Sequence, residues 1–413
     1  MSRPLSRMRV IAVWLLAALL GACGGGGGGS GRAANSGAGG GSPAAAANVL
    51  AISVDAGPSN FVNGLFTTVT VCIPSSATCQ TVDHVLVDTG STGLRLMASV
   101  LQSSLVLPAQ TDSGGNLVAE CTQFADGFTW GPLKIADVKI AGEEAAAVPI
   151  QVIGDPAYAA IPNDCVNTGP PENTVESFGA KGVLGVGVFK EDCGPTCLSD
   201  GNGFYYICPC QENMQSSALA LDRQVQNPVA MFANDNNGVI IELSDVPAEG
   251  AASVSGSLVF GIDTQANNRL GSVQVFKVRP DTGTFVTTYN NQLFNSSLID
   301  SGSSVNFFAD AAIHVCEQAD LYAPGFYCPT PTLALSAEVK GTDGVSATLA
   351  FSVANAHTLF SNNPGHWAFN NLAAPDILPN SFIWGLPAFM GRPVFTAIEG
   401  QNTSVGAGPY FAF

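Results

Sequence analysis

The chain has 413 residues, of which 46% are hydrophobic and 11% charged, and its formal net charge is −17. Low charge combined with a large apolar fraction excludes a generally disordered chain, and the length is sufficient for two domains of about 150–200 residues. Phosphate backbones are bound through Lys and Arg, so this excess of acidic side chains argues against a nucleic-acid partner. We therefore expect a folded protein that does not bind nucleic acid.

The N-terminus has the pattern of an export signal. Arginines at positions 3, 7 and 9 precede the apolar run 10–20, which is too short to span the roughly 30 Å hydrocarbon core of a bilayer but suits a secretory signal. The run ends in Leu20-Gly21-Ala22-Cys23, which resembles the lipobox of bacterial lipoproteins. The resemblance implies that residues 1–22 are removed and that Cys23 is lipidated. A soluble signal peptide followed by a chance cysteine is the alternative.

The segment that follows the signal predicts a membrane tether. Residues 24–47 are almost entirely Gly, Ala and Ser, a composition that remains flexible because it offers no side chains for a core. In the sorting rule of Gram-negative lipoproteins, Gly24 in place of Asp implies the outer membrane. We therefore expect residues 23–47 to anchor an exported protein to the cell envelope.

Ten cysteines remain beyond Cys23, and an even number indicates structural disulfides in an exported protein. Their spacing predicts two bridges that close short loops and one longer bridge: Cys72–Cys79, Cys316–Cys328 and Cys121–Cys165. The other four form a tight group, for which we expect two disulfides of undefined pairing: Cys193, Cys197, Cys208 and Cys210. A zinc site with four thiolates is the alternative for this group, and export disfavours it because it exposes thiols to oxidation.

Two distant segments share a pattern in which a short apolar run leads into Asp, a hydroxyl residue, Gly and a second hydroxyl residue. Residues 84–93 contain Asp88-Thr89-Gly90-Ser91, and residues 297–304 contain Asp300-Ser301-Gly302-Ser303. In each segment the short apolar run predicts a buried strand. The glycine predicts a tight turn directly after the strand.

This double motif is similar to that of the pepsin-like aspartic peptidases. The resemblance covers roughly residues 49–413 and implies an all-β fold of two lobes related by an internal duplication, 48–248 and 249–413, with a cleft between them. It also implies that Asp88 and Asp300 are catalytic. Two carboxyl groups at hydrogen-bond distance share one proton and together activate a water molecule against a peptide bond. This chemistry requires neither a metal nor another cofactor.

The resemblance also gives supporting roles to the neighbours of both acids. The first hydroxyl residue of each motif is implied to bond to the opposite loop, and the second to bond to the outer oxygen of its own carboxylate. The glycine lets backbone N–H groups approach the carboxylate. The expected supporting residues are Thr89, Gly90, Ser91, Ser301, Gly302 and Ser303.

A third match, Asp281-Thr282-Gly283-Thr284, has a different context. It follows Arg279-Pro280 instead of an apolar run, and Pro-Asp-Thr-Gly favours a β-turn. We expect this turn to join strands at 272–277 and 285–289 in a hairpin. The sequence therefore predicts that Asp281 is a turn residue and that Asp300 is the second acid of the site.

Each motif is followed by an apolar-apolar-Gly triplet. The first triplet is Val183-Leu184-Gly185 and the second is Ile383-Trp384-Gly385. In pepsin-like peptidases such a triplet passes behind each catalytic loop, where only glycine leaves enough room. An Asp before Gly is otherwise usually a turn residue, and this duplicated context favours the catalytic interpretation.

Some positions depart from the family pattern. The segment 121–131 falls where these peptidases have a flap hairpin, and its spacing puts Phe124 at the position of a Tyr, so the hydroxyl is missing. Arg95 stands where the family commonly has Trp, and Gly93 where it has Asn. Trp130 could supply an N–H group to the site, although a packed hairpin aromatic is the favoured interpretation.

The function expected from these patterns is an aspartic endopeptidase anchored to the cell envelope. The sequence has neither a His-Glu-x-x-His nor a Gly-x-Ser-x-Gly motif, which argues against a zinc metallopeptidase and a serine hydrolase of those types. We expect a monomer that acts on a polypeptide substrate and meets the membrane only through its lipid. The alternative is a catalytically disarmed pepsin-like surface lipoprotein that binds or inhibits a protein ligand.

Overall fold

The structure is a computed structural model that describes residues 46–208, 214–376 and 378–413. The predicted signal peptide 1–22, the lipidation site Cys23 and nearly all of the tether 23–47 lie outside the described residues, as does Cys210. The described chain is mostly β-strand with few helices. This confirms the predicted all-β class.

The strands are short and cover the whole described length. The first eleven are β1 (Val49–Asp55), β2 (Gly64–Cys72), β3 (Cys79–Asp88), β4 (Thr92–Met97), β5 (Leu117–Gln123), β6 (Phe128–Ile140), β7 (Glu143–Ile153), β8 (Gly182–Val186), β9 (Tyr205–Cys208), β10 (Gln215–Ser216) and β11 (Gly238–Leu243). The next seven are β12 (Val254–Phe260), β13 (Val275–Lys277), β14 (Phe285–Tyr289), β15 (Gln292–Ile299), β16 (Asn306–Phe307), β17 (Leu333–Lys340) and β18 (Ser346–Val353). The last six are β19 (Ala373–Ala374), β20 (Ile383–Trp384), β21 (Pro393–Ala397), β22 (Asn402–Thr403), β23 (Gly406–Ala407) and β24 (Tyr410–Ala412). The α-helices are α1 (Asn163–Val166), α2 (Val175–Phe178) and α3 (Ala356–Asn362).

Most strands belong to two barrel-like sheets. The larger has 15 strands in the order β10-β9-β5-β6-β7-β4-β8-β3-β2-β1-β12-β11-β21-β24-β13. The smaller has seven strands in the order β18-β17-β14-β15-β20-β16-β19. The larger sheet contains strands from both sides of residue 248, because β1 pairs antiparallel with β12 from Val49↔Val259 to Val54↔Val254.

The two strands that lead into the acidic motifs are buried at their ends. Val85 and Val87 of β3 are fully buried, and Ile299 at the end of β15 is nearly so. A strand covered on both faces has a continuous apolar sequence instead of an alternating one. Val87 and Ile299 belong to the same large hydrophobic cluster, so each acid follows directly from a residue fixed in the core.

The described residues contain four disulfides, including the three bridges predicted from spacing: Cys72–Cys79, Cys121–Cys165, Cys316–Cys328 and Cys193–Cys197. The last bridge excludes a four-thiolate zinc site in the group 193–210. Disulfides of this number are typical of an extracellular or periplasmic protein. Among the described residues, none of the helices has the length and apolar character needed to cross a bilayer.

The prediction of a hairpin around Asp281 is wrong. The strand before it, β13, pairs with β24 in the larger sheet, whereas β14 pairs with β15 and β17 in the smaller sheet. The turn itself is present, because the Gly283 N–H donates to the Arg279 carbonyl oxygen at 2.8 Å. It therefore connects two sheets, and Asp281 is exposed at its tip.

Candidate active site

Asp88 and Asp300 occupy equivalent places at the ends of two strands. Asp88 is the last residue of β3, which runs parallel to β8 so that Asp88 lies beside Gly185. Asp300 follows β15, which runs parallel to β20 with Ile299 beside Trp384, and the Asp300 N–H donates to the Trp384 carbonyl oxygen at 2.9 Å. The same strand pairing thus presents both carboxyl groups.

The two acidic loops meet face to face. A Cβ atom on Gly90 would lie 2.7 Å from Cγ of Asp300, and one on Gly302 would lie 2.6 Å from Oδ1 of Asp88. Such contacts are too short for any carbon atom, so each loop needs its glycine to make room for the opposite carboxyl group. The structure therefore brings the two predicted acids together, although 212 residues separate their loops.

Each carboxylate is held by its own loop in the same way. The Gly90 N–H donates to Asp88 Oδ1 at 2.7 Å, and the Ser91 hydroxyl donates to Asp88 Oδ2. In the second loop the Gly302 N–H donates to Asp300 Oδ1 at 2.8 Å, and the Ser303 hydroxyl donates to Asp300 Oδ2 at 2.7 Å. These bonds give each carboxyl oxygen a donor from its own loop and hold the two carboxyl groups facing each other.

The first hydroxyl residues cross between the loops. The Thr89 hydroxyl donates to the Ile299 carbonyl oxygen at 3.1 Å and accepts from the Ser301 N–H at 3.0 Å. The Ser301 hydroxyl donates to the Val87 carbonyl oxygen at 2.8 Å and accepts from the Thr89 N–H at 3.1 Å. This reciprocal set of four buried hydrogen bonds joins the loops as one rigid unit.

The two glycine triplets pass directly behind the loops. A Cβ atom on Gly185 would lie 2.6 Å from the Thr92 nitrogen, and one on Gly385 would lie 2.1 Å from the Val305 carbonyl oxygen. Gly385 also donates its N–H to Asn306 Oδ1 at 3.0 Å. Glycine is thus required at both positions, as the sequence pattern predicted.

Burial, and then the neighbouring Asp88, raise the pKa of Asp300 from 3.8 to about 8. Serine and backbone donors to the Asp300 carboxyl act in the opposite direction but do not offset burial. Asp300 therefore keeps a proton across the acidic and neutral range. A pair of adjacent acids in which one stays protonated is the arrangement that proton-sharing catalysis needs.

This raised pKa predicts how stability depends on pH. Between pH 3.8 and about 8, Asp300 is ionised in the unfolded chain but protonated in the folded chain. The stability that the protonated carboxyl group contributes is therefore complete below the unfolded pKa and is lost as the pH rises through the folded pKa. We expect the difference in free energy of unfolding between the wild type and Asp300→Asn to shift against the wild type as pH rises, measured by urea unfolding. A difference that stays constant with pH would contradict the assignment.

The chain matches the family described as "Protein of unknown function (DUF3443)" over residues 44–413. It belongs to the DUF3443 family. No curated protein matches the sequence. The family description specifies no reaction, so the function of this DUF3443 protein has to be argued from the site itself.

Phe124 lies at the turn of the β5–β6 hairpin, which is closed by the Phe124 N–H donating to the Gly127 carbonyl oxygen at 2.8 Å. Its half-buried ring packs edge-on against Phe178, with the ring centroids 5.6 Å apart. The same apolar cluster contains Leu86 and Val183, which lie side by side on the strands that lead to Asp88 and Gly185. Phe124 therefore adds apolar surface to a cluster on the strands that lead to Asp88 and Gly185, and its side chain has no hydrogen-bond donor.

Trp130 does not serve the site. Its side chain is 2% exposed, and its Nε1–H donates to the Tyr158 carbonyl oxygen at 2.8 Å. This confirms the interpretation of Trp130 as a packed hairpin aromatic. Among the described residues, there is no group of three or more His, Cys, Asp or Glu side chains that could hold a metal ion.

A small cavity of about 60 Å³ lies beside the first acidic loop. It is lined by residues 89–92 of that loop, by Gly187–Phe189, and by Thr282 and Gly283 of the turn between the sheets. The sequence predicted this segment only as a β-turn outside the site, because the residues of a turn do not specify which surface the turn will contact. The turn in fact forms one wall of the cavity beside the first acidic loop.

The surroundings of Arg95 were not predicted from the sequence. This side chain is buried against Glu120 and Asp192, at 2.7 Å and 2.6 Å respectively. An arginine between two leucines in an apolar strand does indicate buried acidic partners. The sequence alone could not identify them, because they lie on other elements.

Proposed function

We propose that this DUF3443 protein is an aspartic endopeptidase that hydrolyses peptide bonds with a water molecule activated by Asp88 and Asp300. The observation that supports the proposal is the pair of facing carboxyl groups, held by two loops with equivalent hydrogen bonds. Each loop also depends on a glycine that touches the opposite acid. Turn or cap aspartates have no need for this reciprocal arrangement.

The chemistry follows from one proton shared by two acids. The ionised carboxylate accepts a proton from the water as the water oxygen attacks the peptide carbonyl carbon, and the neutral carboxyl donates its proton to the carbonyl oxygen. The resulting tetrahedral diol then collapses: the C–N bond breaks, the nitrogen takes the proton that the first carboxyl accepted from water, and the other carboxylate takes a proton from a diol hydroxyl, which returns the dyad to its starting state. Asp300, whose pKa is raised to about 8, suits the role of the neutral donor in the first step.

The two-lobed pepsin-like architecture is part of this proposal. It is supported by the parallel pairing of β3 with β8 and of β15 with β20, which gives the two halves equivalent strand, loop and triplet arrangements. Lipidation at Cys23, an outer-membrane location and a monomeric state remain proposals that follow from the sequence. In this arrangement the substrate is a polypeptide that enters from the envelope or its surroundings.

The proposal is tested with the purified full-length protein and an unfolded, alkylated substrate protein at about pH 3 to 7, where such a dyad is expected to work. We expect peptide products that a statine-type inhibitor suppresses, detected by mass spectrometry. The inhibitor carries a hydroxyl that takes the place of the activated water. Absence of cleavage together with absence of inhibitor binding would overturn the proposed site.

A second candidate function is favoured by Phe124. A ring without a hydroxyl at the hairpin turn supplies no hydrogen bond to a substrate, and this ring already packs against Phe178. The protein would then bind a polypeptide in the same place without cleaving it, as a binding or inhibitory surface module. Inhibitor binding without cleavage at any pH would favour this function over the peptidase.

A further inference from the structure

Arg95 is the most extensively bonded buried cation among the described residues. Its side chain is 1% exposed, and it donates to Glu120 Oε1 at 2.7 Å, to Asp192 Oδ2 at 2.6 Å and to Thr122 Oγ1 at 2.9 Å. It also donates from Nη1 to the Thr92 carbonyl oxygen at 2.7 Å. A single guanidinium thus bonds to four different residues.

These partners belong to three separate elements around Asp88. Thr92 begins β4 and directly follows Ser91, whose hydroxyl donates to Asp88. Glu120 and Thr122 lie on β5, the first strand of the hairpin that carries Phe124. Asp192 lies in the loop after β8, the strand that lies beside Asp88. Arg95 therefore connects its own strand, which directly follows the acidic loop, to the hairpin and to the loop after β8.

A further polar layer supports the hairpin end of this cluster. Gln151 donates from Nε2 to the Glu120 carbonyl oxygen at 2.9 Å and accepts from the Thr129 hydroxyl at 2.9 Å. Thr122 and Thr129 face each other across the β5–β6 ladder. Both strands of the hairpin are thereby attached to the side of β4 on which Arg95 lies.

The cluster holds two acids for one arginine. Burial opposes the charge of Arg95, but Glu120 and Asp192 outweigh it and raise its pKa. Burial, and then Glu120, raise the pKa of Asp192 well above its usual value, and the Tyr205 hydroxyl donates to the Asp192 carboxyl. Glu120 Oε2 accepts no hydrogen bond from the described residues. The group is thus a buried, strongly interacting set with one acceptor oxygen unused.

Such clusters contribute little net stability. Desolvation of buried ions largely cancels their attraction, and well-packed apolar side chains of similar volume stabilise a fold equally well. The directional hydrogen bonds of a guanidinium group do, however, define the distance and angle between the elements that they join. The cluster is therefore better explained by the geometry that it imposes on the site than by a contribution to folding.

We propose that Arg95 is a positioning residue that fixes the β5–β6 hairpin, and with it Phe124, relative to the Asp88 loop. This inference rests on the proposed function for its effect on turnover, but its structural part does not. A displacement of about 1 Å in a substrate-positioning element lowers the rate by as much as 100-fold. Arg95 acts through the hairpin and touches neither carboxyl group of the dyad.

The test avoids leaving a buried acid unpaired, because an uncompensated buried charge would itself destabilise the fold. The main variant is the triple replacement Arg95→Met, Glu120→Gln and Asp192→Asn, which removes all three charges. We expect it to fold and bind the statine-type inhibitor more weakly, with kcat/KM for peptide cleavage reduced on the order of 100-fold. Hydrogen exchange is expected to rise in residues 117–140 and to stay unchanged in the strands of the smaller sheet.

Two further variants make the test specific. Arg95→Lys keeps the charge but loses the planar fork of the guanidinium group. We expect its kcat to lie between that of the wild type and that of the triple variant. The control is Lys139→Met with Glu144→Gln, which removes an exposed ion pair of 3.5 Å between β6 and β7 and is expected to leave kinetics and exchange as in the wild type. Wild-type kinetics in the triple variant, or an equal effect in the control, would overturn the inference.

The readouts also separate this inference from the proposed function. If the wild type cleaves no peptide, the peptidase proposal fails, and hydrogen exchange alone then decides the role of Arg95. Faster exchange confined to residues 117–140 in the triple variant would support the positioning role. Unchanged exchange there would refute it, whether or not the protein is an enzyme.

Discussion

Replacing Asp88 by Asn is expected to lower kcat/KM for peptide cleavage by about 1,000-fold or more, the range that positioned acid–base groups contribute. The amide has the size and shape of the carboxyl group, and its oxygen can still accept from the Gly90 N–H, so the fold should be retained. It cannot take a proton from water, however. The measurement is steady-state cleavage of a fluorogenic peptide, with circular dichroism to confirm folding.

The third copy of the motif provides a matched control for this experiment. Asp281 is followed by the same pattern of hydroxyl residue, Gly and hydroxyl residue, but it is exposed at a turn between the sheets. Asp281→Asn is therefore expected to retain wild-type cleavage. Activity that survives in Asp88→Asn, or that disappears in Asp281→Asn, would show that the motif copies were assigned to the wrong roles.

The acidic site could be predicted in detail because it is encoded locally. Each motif specifies its own strand, turn and hydroxyl donors within a few residues, and the triplets at Gly185 and Gly385 specify what lies behind them. The burial of Val87 and Ile299 explains why two remote segments are brought to the same point: both acids emerge from one core. The predicted disulfides share this local character, since two of the three close loops between near neighbours in the chain.

Features that depend on distant pairing were missed. The turn at Asp281 was predicted correctly, but local turn chemistry cannot specify which strands pair, and β13 and β14 belong to different sheets. The partners of Arg95 were missed for the same reason, because its two acidic partners are 25 and 97 residues away in the chain. Nothing in a single sequence distinguishes Glu120 and Asp192 from the other acidic residues of so acidic a chain.

The dyad and the Arg95 cluster hold their buried acids in different ways. At the dyad, each carboxyl oxygen accepts a hydrogen bond from its own loop, and the two carboxyl groups lie next to each other, as sharing of one proton requires. In the Arg95 cluster, one guanidinium donates to an oxygen of each acid and fixes the position of both. The first arrangement suits proton transfer, and the second holds neighbouring elements at fixed distances. This is consistent with a site in which the dyad reacts and the Arg95 cluster positions the β5–β6 hairpin.

Gly302→Ala is expected to reduce cleavage about as severely as loss of an acid, without any change in the titrating groups. The new methyl carbon would lie 2.6 Å from Asp88 Oδ1, 2.7 Å from Asp88 Cγ and 3.2 Å from Asp300 Oδ1. It would therefore force the two carboxyl groups apart and disrupt their shared proton. Overpacking of this kind costs about 1–3 kcal/mol of stability, which urea unfolding would measure alongside cleavage.

The proper comparison is a glycine whose new methyl group would meet only side-chain atoms of a surface turn away from the site. At Gly114 the nearest atom to an added Cβ is the Asn116 side-chain nitrogen at 3.1 Å, on an exposed turn. Gly114→Ala is expected to keep wild-type cleavage and inhibitor binding, whereas Gly302→Ala loses both because the inhibitor hydroxyl needs the same two carboxyl groups. If Gly302→Ala cleaved peptides normally, the carboxyl groups would not have to be adjacent, and a shared-proton mechanism would have no physical basis.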